Sequence, residues 1–286
     1  MVRVMVLPEH FGLGLIGIPL ASALTAWTSS ALLLVAVATT SARQCWGGFS
    51  REALRGWGEY TRIAFPGMVM VAGIVWPIEF ISFVASYFGP HALSSQSITN
   101  TIFQMMLLVH AGISSGSAIG VGNHLGGSLP NRSRLSAHAV LIFCAILGTM
   151  QSFGLLLWRD TVVGFFTKDA AVHKLAIETV TVVALSQPFK ALGSISSGIL
   201  RGQGRQRVSA FFKLSACYLL ALPLGMVLAH WYEMGLLGLW IGVGVSWIYT
   251  ALGELAAVLN TDWNRQVFLC QRRMNAYGRD VGGTFL

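Results

Sequence analysis

The sequence predicts an all-α, polytopic membrane protein of about seven spans, on three observations. Charged residues make up 10% of the 286 residues, against roughly 25% in soluble domains. Hydrophobic residues reach 54%, and the mean hydropathy is +0.65. Seven mainly apolar runs, at 12–37, 64–84, 98–120, 137–158, 177–200, 210–230 and 236–258, match the roughly 20 residues that a membrane helix needs. A soluble chain of this length requires a charged surface that these residues cannot build. Lipid is therefore the solvent.

The first run opens at Gly12, behind a stretch with Arg3 as its single base. It is too long for the apolar core of a signal peptide, and no clear small-residue cleavage signal follows it. The later runs are mostly bounded by charge or by Gly and Pro. Those at 98–120 and 177–200 carry several Ser, Thr and Gln, which lipid tolerates only on inward-looking faces.

Orientation follows from Lys and Arg. With the loop after the first run placed inside, Arg43, Arg51, Arg55, Arg62, Arg132, Arg134, Arg201, Arg205, Arg207, Lys213, Arg265, Arg272, Arg273 and Arg279 all lie in the cytoplasm. Arg3, Arg159, Lys168 and Lys174 lie outside, and Lys190 is intramembrane. The carboxyl terminus is then cytoplasmic and the first residue external, so the chain must translocate its own amino terminus or be preceded by further helices. The sequon Asn131-Arg132-Ser133 falls inside and should carry no glycan.

The net charge of +8 is spread between apolar runs, which speaks for membrane topology rather than for a nucleic-acid partner. Four scattered cysteines without a CxxC pair predict free thiols, neither a disulfide framework nor zinc. A faint repeat, Leu13-Gly14-Leu15 and Leu237-Gly238-Leu239, each continuing to a Trp (Trp27, Trp247), fits a duplicated architecture.

Two charges stand deep in apolar runs. Glu79, in Trp76-Pro77-Ile78-Glu79-Phe80, lies about 22 Å along a helix that begins at Ala64. It reads either as a proton or sodium acceptor, whose protonation and cation binding compete, or as a packing residue. Lys190, in Gln187-Pro188-Phe189-Lys190, lies at similar depth; it either pairs with Glu79 or snorkels to an interface. His110 reads as a satisfied core histidine rather than a proton relay, and Glu254, close to the last boundary, as an acid reaching cytoplasmic water. The glycine-rich stretches at 120–127 and 201–207 lack the dinucleotide and phosphate-loop patterns.

Those stretches carry a family resemblance. Val121-Gly122-Asn123-His124-Leu125-Gly126-Gly127 resembles the VGN-x-LGxG signature of the multidrug and toxic compound extrusion (MATE) family, with Ser128 in place of its final glycine. The run from Ser197 to Gln206 resembles the family's SGxLRGxGxQ segment without a mismatch. Phe166-Thr167-Lys168-Asp169 is similar to its FTxD loop. Leu222-Pro223-Leu224-Gly225, Gly238-Leu239-Trp240-Ile241-Gly242 and Thr261-Asp262-Trp263 follow in the family's order.

The resemblance implies two six-helix lobes with substrate between them. This chain corresponds to the sixth helix and linker (1–60), the six-helix second lobe (61–260) and a cytoplasmic tail (261–286), a partial fold of one lobe plus one helix. It implies a secondary antiporter, not an enzyme. Such a protein exports organic cations or other amphipathic compounds against protons or sodium ions, with no further cofactor and with the lipid bilayer and a missing first lobe as partners. Glu79 stands at the position of an acid linked to ion coupling. Trp76, Gln104 and Lys190 would line the second-lobe side of the cavity as substrate contacts, Trp76 stacking on a planar cation and Gln104 orienting a polar group.

There are departures from the family pattern. Many members have Asp or Glu where Lys190 stands, Gly120 replaces an Arg, and Thr101 stands where animal members often have Glu. The base at Lys190 leaves three readings: it neutralises Glu79, it favours an anionic substrate, or it marks a relaxed copy. Two other identities are set beside the antiporter: a non-transporting relic, and a seven-helix receptor. The receptor lacks its expected Asp-Arg-Tyr and Asn-Pro-x-x-Tyr motifs here.

Overall fold

The computed structural model describes residues 16–40 and 57–282, and every element among them is helical. Leu13-Gly14-Leu15, Cys45 and the loop bases Arg43, Arg51 and Arg55 lie outside the described residues. The chain divides into two compact units, Met1–Tyr60 and Thr61–Leu286. The first contains helix α1, Gly17–Thr39. This helix is apolar around its circumference, with Trp27 77% exposed and Leu32, Leu33 and Leu34 each more than half exposed, as a membrane span must be.

The remaining helices are α2 (Trp57–Tyr87), α3 (Pro90–Gly126), α4 (Pro130–Gly164), α5 (Ala170–Gly202), α6 (Gln206–Ser215), α7 (Leu222–His230), α8 (Gly235–Leu259) and α9 (Trp263–Gly282). A π-helical turn, Ala216–Ala221, joins α6 to α7. Pro223 has no N–H for the Leu219 carbonyl, and the backbone widens there. Six spans among the described residues are long and apolar enough to cross a membrane: α1 from Pro19, α3, α4, α5, Gln206–His230 and α8. The seventh predicted run, 64–84, lies within α2, a helix of 31 residues. Short connections join α2 to α8 into an up-and-down bundle that carries five of these six spans.

The helices overshoot the apolar runs, and two of them start at a capping carboxylate. Asp169 caps α5: its carboxylate accepts from the backbone N–H groups of Ala171 (2.8 Å) and Val172 (3.2 Å). These two donors hold its carboxyl below the usual carboxylate range. Asp262 accepts likewise from the Arg265 N–H at the start of α9, and Trp263 is buried beside it. The FTxD and Thr-Asp-Trp markers are thus helix caps.

Ser128 is a third case. Its φ of 58° is left-handed, a region that glycine occupies without the steric penalty of a Cβ. Its hydroxyl accepts from Gln271 Nε2 at 2.6 Å. Ser128→Gly is expected to raise the stability of the detergent-solubilised chain by on the order of 1 kcal/mol in thermal unfolding. A lower midpoint would show that the Gln271 contact outweighs the backbone strain.

The bundle is inside-out relative to a soluble protein. On α4, Ile142, Ile146, Phe153 and Leu157 point outward and are more than half exposed, while Ser95, Thr99, Thr179 and Gln187 are buried. Without a hydrophobic drive between helices, small residues and hydroxyls set their contacts. α3 and α5 run parallel, joined by Thr99 Oγ1 to Thr179 Oγ1 at 2.7 Å and by Ser114 Oγ donating to the Ser194 carbonyl at 2.7 Å, both at an offset of 80 residues. Gly198 and Gly202 let these backbones touch: a Cβ at Gly202 would stand 2.6 Å from the Ala118 carbonyl oxygen. α7 and α8 close in the same way, with Gly242 against the Ala221 carbonyl and the Gly225 amide. Of the family glycines, Gly198, Gly202, Gly225 and Gly242 mark helix crossings.

Candidate functional site

A cavity of about 230 Å³ opens inside the second unit. α2 contributes Ile78, α3 Leu107, α5 Lys190 and Ser194, α6 Lys213, and α8 Ser246, Trp247 and Thr250; the π-helical turn supplies Ala216 and Cys217. Among the described residues, its wall contains two lysines and no carboxylate.

Lys190 stands on this wall from the middle of α5, two residues after Pro188. The Lys190 Nζ lies 5.4 Å from the Phe103 ring centre and 5.0 Å from that of Trp247. Those rings stack at 4.8 Å and 15°, and Trp240, edge-on to both, donates its indole N–H to Gln96 Oε1 at 2.8 Å. The ammonium therefore meets ring faces and edges. Among the described residues, no ion pair or hydrogen bond to Lys190 is formed.

Lys213 is tied differently. It donates to Ser197 Oγ at 2.6 Å and stands 4.0 Å from Glu254 Oε1. Ser209 donates to that carboxylate oxygen and lies 2.8 Å from Ser197. A hydroxyl has one proton to give, so the chain of donors runs from Lys213 through Ser197 and Ser209 to Glu254. Glu254 Oε2 has no hydrogen-bond partner, and the residue is 0% exposed. The expectation that Glu254 reaches cytoplasmic water is therefore corrected. Ser246, Trp247 and Thr250 share one face of α8, and Glu254 continues it one turn further, where α5 and α6 cover it.

The expected site residues divide. Lys190 lines the cavity; Trp76, Glu79 and Gln104 do not. Glu79 is exposed, on a face of α2 with Trp76 and Phe83, which are both more than half exposed. Gln104 is exposed on α3 with Thr101 and Leu108. No ion pair joins Glu79 to Lys190 among the described residues. His110, level with Lys190 by the 80-residue offset, is fully buried as expected, yet neither ring nitrogen has a partner. Gln151 is the polar side chain beside it.

The sequence reading did not assign Lys213 and Glu254 to the site. Both fall within the apolar runs 210–230 and 236–258, and that was the available signal. Among the described residues no cluster of His, Cys, Asp and Glu could hold a metal ion. Cys144, Cys217 and Cys270 are free thiols.

The sequence model of the MatE family matches residues 58–227, more than half of the chain. The chain belongs to the MatE family. It is 34% identical over 264 residues to the "Uncharacterized transporter C4B3.13" of Schizosaccharomyces pombe, covering 92% of this chain and 49% of that protein. Against human "Multidrug and toxin extrusion protein 1" the identity is 32%, over 88% of this chain and 45% of that one. The fold is similar to that of the "eukaryotic MATE transporter AtDTX14", with a TM-score of 0.84 at 24% identity, over 95% of this chain and 61% of that structure. The chain spans about half the length of the curated relatives it matches. A seven-helix receptor is set aside by the family match, which spans the segments at 121–127, 166–169, 197–206 and 222–225.

Proposed function

We propose that this MATE chain forms the second-lobe part of a secondary active antiporter that exports small amphipathic molecules, organic cations among them, against protons or sodium ions. The observation that supports this best is the cavity, walled by Lys190, within a MATE unit that carries five of the six candidate spans. In this reading α9, with Arg265, Arg272, Arg273 and Arg279, lies along the cytoplasmic surface with the carboxyl terminus.

Glu79 is the proposed coupling group. An acid on an outer helix face costs on the order of 2–3 kcal/mol or more in hydrocarbon, so the face bearing Trp76 and Glu79 is read as looking across a wet cleft toward a first lobe. Gln104 is read as a further polar contact from α3. There, protonation and cation binding would compete for one carboxylate, and two lobes would rock about the site.

The test is transport in proteoliposomes. The 286-residue chain by itself is expected to move no substrate. With a MATE first lobe fused ahead of it, efflux should follow an imposed proton or sodium gradient and lose that dependence in Glu79→Gln. Robust efflux by the chain alone would refute the two-lobe requirement. An unaltered gradient dependence in Glu79→Gln would remove Glu79 from coupling.

A further inference from the structure

We infer that the cavity walled by Lys190 and Lys213 binds an amphipathic organic anion, an aryl carboxylate or sulfonate. Its charged end meets the two ammonium groups, and its ring lies against Trp247 and Phe189. As a claim about what is exported this rests on the antiporter reading; as a claim about binding it rests on the cavity alone.

The charge balance carries the argument. Among the described residues, Lys190 and Lys213 stand in the wall and Glu254 behind it, two ammoniums to one carboxylate; His110, level with Lys190, and Arg201, which donates to Ser114, bring no further negative charge. Glu254 is committed, with Oε1 held by Ser209 and 4.0 Å from Lys213, and it lies behind the wall rather than in it. Lys190 is left with the faces and edges of Phe103 and Trp247. An ammonium at the centre of a membrane helix is costly without compensation, and ring faces return only part of that cost. The cavity thus presents one uncompensated positive charge in a low dielectric, where a ligand's charge counts most.

A cation would enter against both ammoniums and find the aromatic site beside Trp247 already filled by the chain's own Lys190. An anion supplies the missing charge. The rest of the wall sets the remainder of the ligand: Ile78, Leu107 and Val243 are apolar, while Ser194, Ser246 and Thr250 offer hydroxyl donors. That mixture, a few polar groups in a mainly apolar enclosure, is the usual make-up of a small-molecule site. The volume of about 230 Å³ suits a compact ring system with one charged substituent.

The experiment is equilibrium dialysis of the purified full chain in detergent against radiolabelled 1-naphthalenesulfonate, with trimethylphenylammonium as the cationic counterpart. Both probes hold their charge at any working pH. Saturable sulfonate binding is expected in the parent. Lys190→Gln should weaken it by about tenfold or more, as loss of one partner of a desolvated charge pair does, and Lys190→Arg should retain it within a few-fold. Leu107→Trp, which fills the cavity and changes no charge, should abolish it. Thermal unfolding of each variant reports whether it is folded, and Leu107→Trp carries the test if Lys190→Gln is not. Preference for the cation, binding of neither probe, or sulfonate binding untouched by both Lys190→Gln and Leu107→Trp would overturn the inference. Sulfonate binding without sulfonate transport in the two-lobe protein would keep the site and remove only the export reading.

Discussion

Glu254→Ala is expected to destabilise the detergent-solubilised chain by about 3–5 kcal/mol, the range for removing one partner of a buried ion pair. The cost comes from what is stranded. Lys213 would keep Ser197 as its single hydrogen-bond partner, and Ser209 would lose the carboxylate it donates to. Three elements share the consequence, since Ser197 lies on α5, Ser209 and Lys213 on α6, and Glu254 on α8. Replacing both charges, as in Lys213→Met with Glu254→Leu, should recover most of the loss, because two buried charges exchanged for apolar groups of similar volume are often neutral or better. Thermal unfolding of the two single variants and the double variant completes the cycle. A Glu254→Ala midpoint close to the parent's would mean that the carboxylate is hydrated, as the bare sequence suggested.

Gly198→Val carries the second large effect. A Cβ at Gly198 would collide with the Ser114 carbonyl and stand 2.6 Å from Ser114 Oγ and 2.7 Å from Ser117 Oγ. α3 and α5 would have to separate along the seam that their shared hydroxyls define. Overpacking of this kind costs about 1–3 kcal/mol, and here it also breaks the Ser114 bond to the Ser194 carbonyl. Gly112 and Gly116, on α3 itself, are the controls, because a Cβ at either meets nothing within 4 Å. Gly112→Ala should be neutral or stabilising by up to about 1 kcal/mol, the helix-propensity difference. Equal effects at Gly198 and Gly112 would show that the crossing is looser than its geometry implies. Binding of 1-naphthalenesulfonate should also weaken in Gly198→Val, since Ser194 of the cavity wall is the residue that Ser114 holds.

The Thr-Asp-Trp and FTxD segments show how far pattern alone can go. Their order along the chain marked the family, but their physical role, a carboxylate closing the first turn of a helix, needed the backbone. Ser128 was visible as a missing glycine and became meaningful once its φ was known. Glu254 was misread because distance from the end of an apolar run is a poor measure of burial when two neighbouring helices extend past that run and cover it.

From composition and hydropathy the amino acids dictate their solvent and an all-helical, many-span chain and, through the glycine-rich signatures, point to the family. Each of these depends on residues close together in the chain, where periodicity and spacing are direct records of the physics. Which charges meet is another matter. Lys213 and Glu254 are 41 positions apart, and the ring pair that faces Lys190 comes from α3 and α8. Only the folded bundle brings them together, because side-chain pairing across helices is set by the rotation and crossing of each helix. No local pattern encodes those.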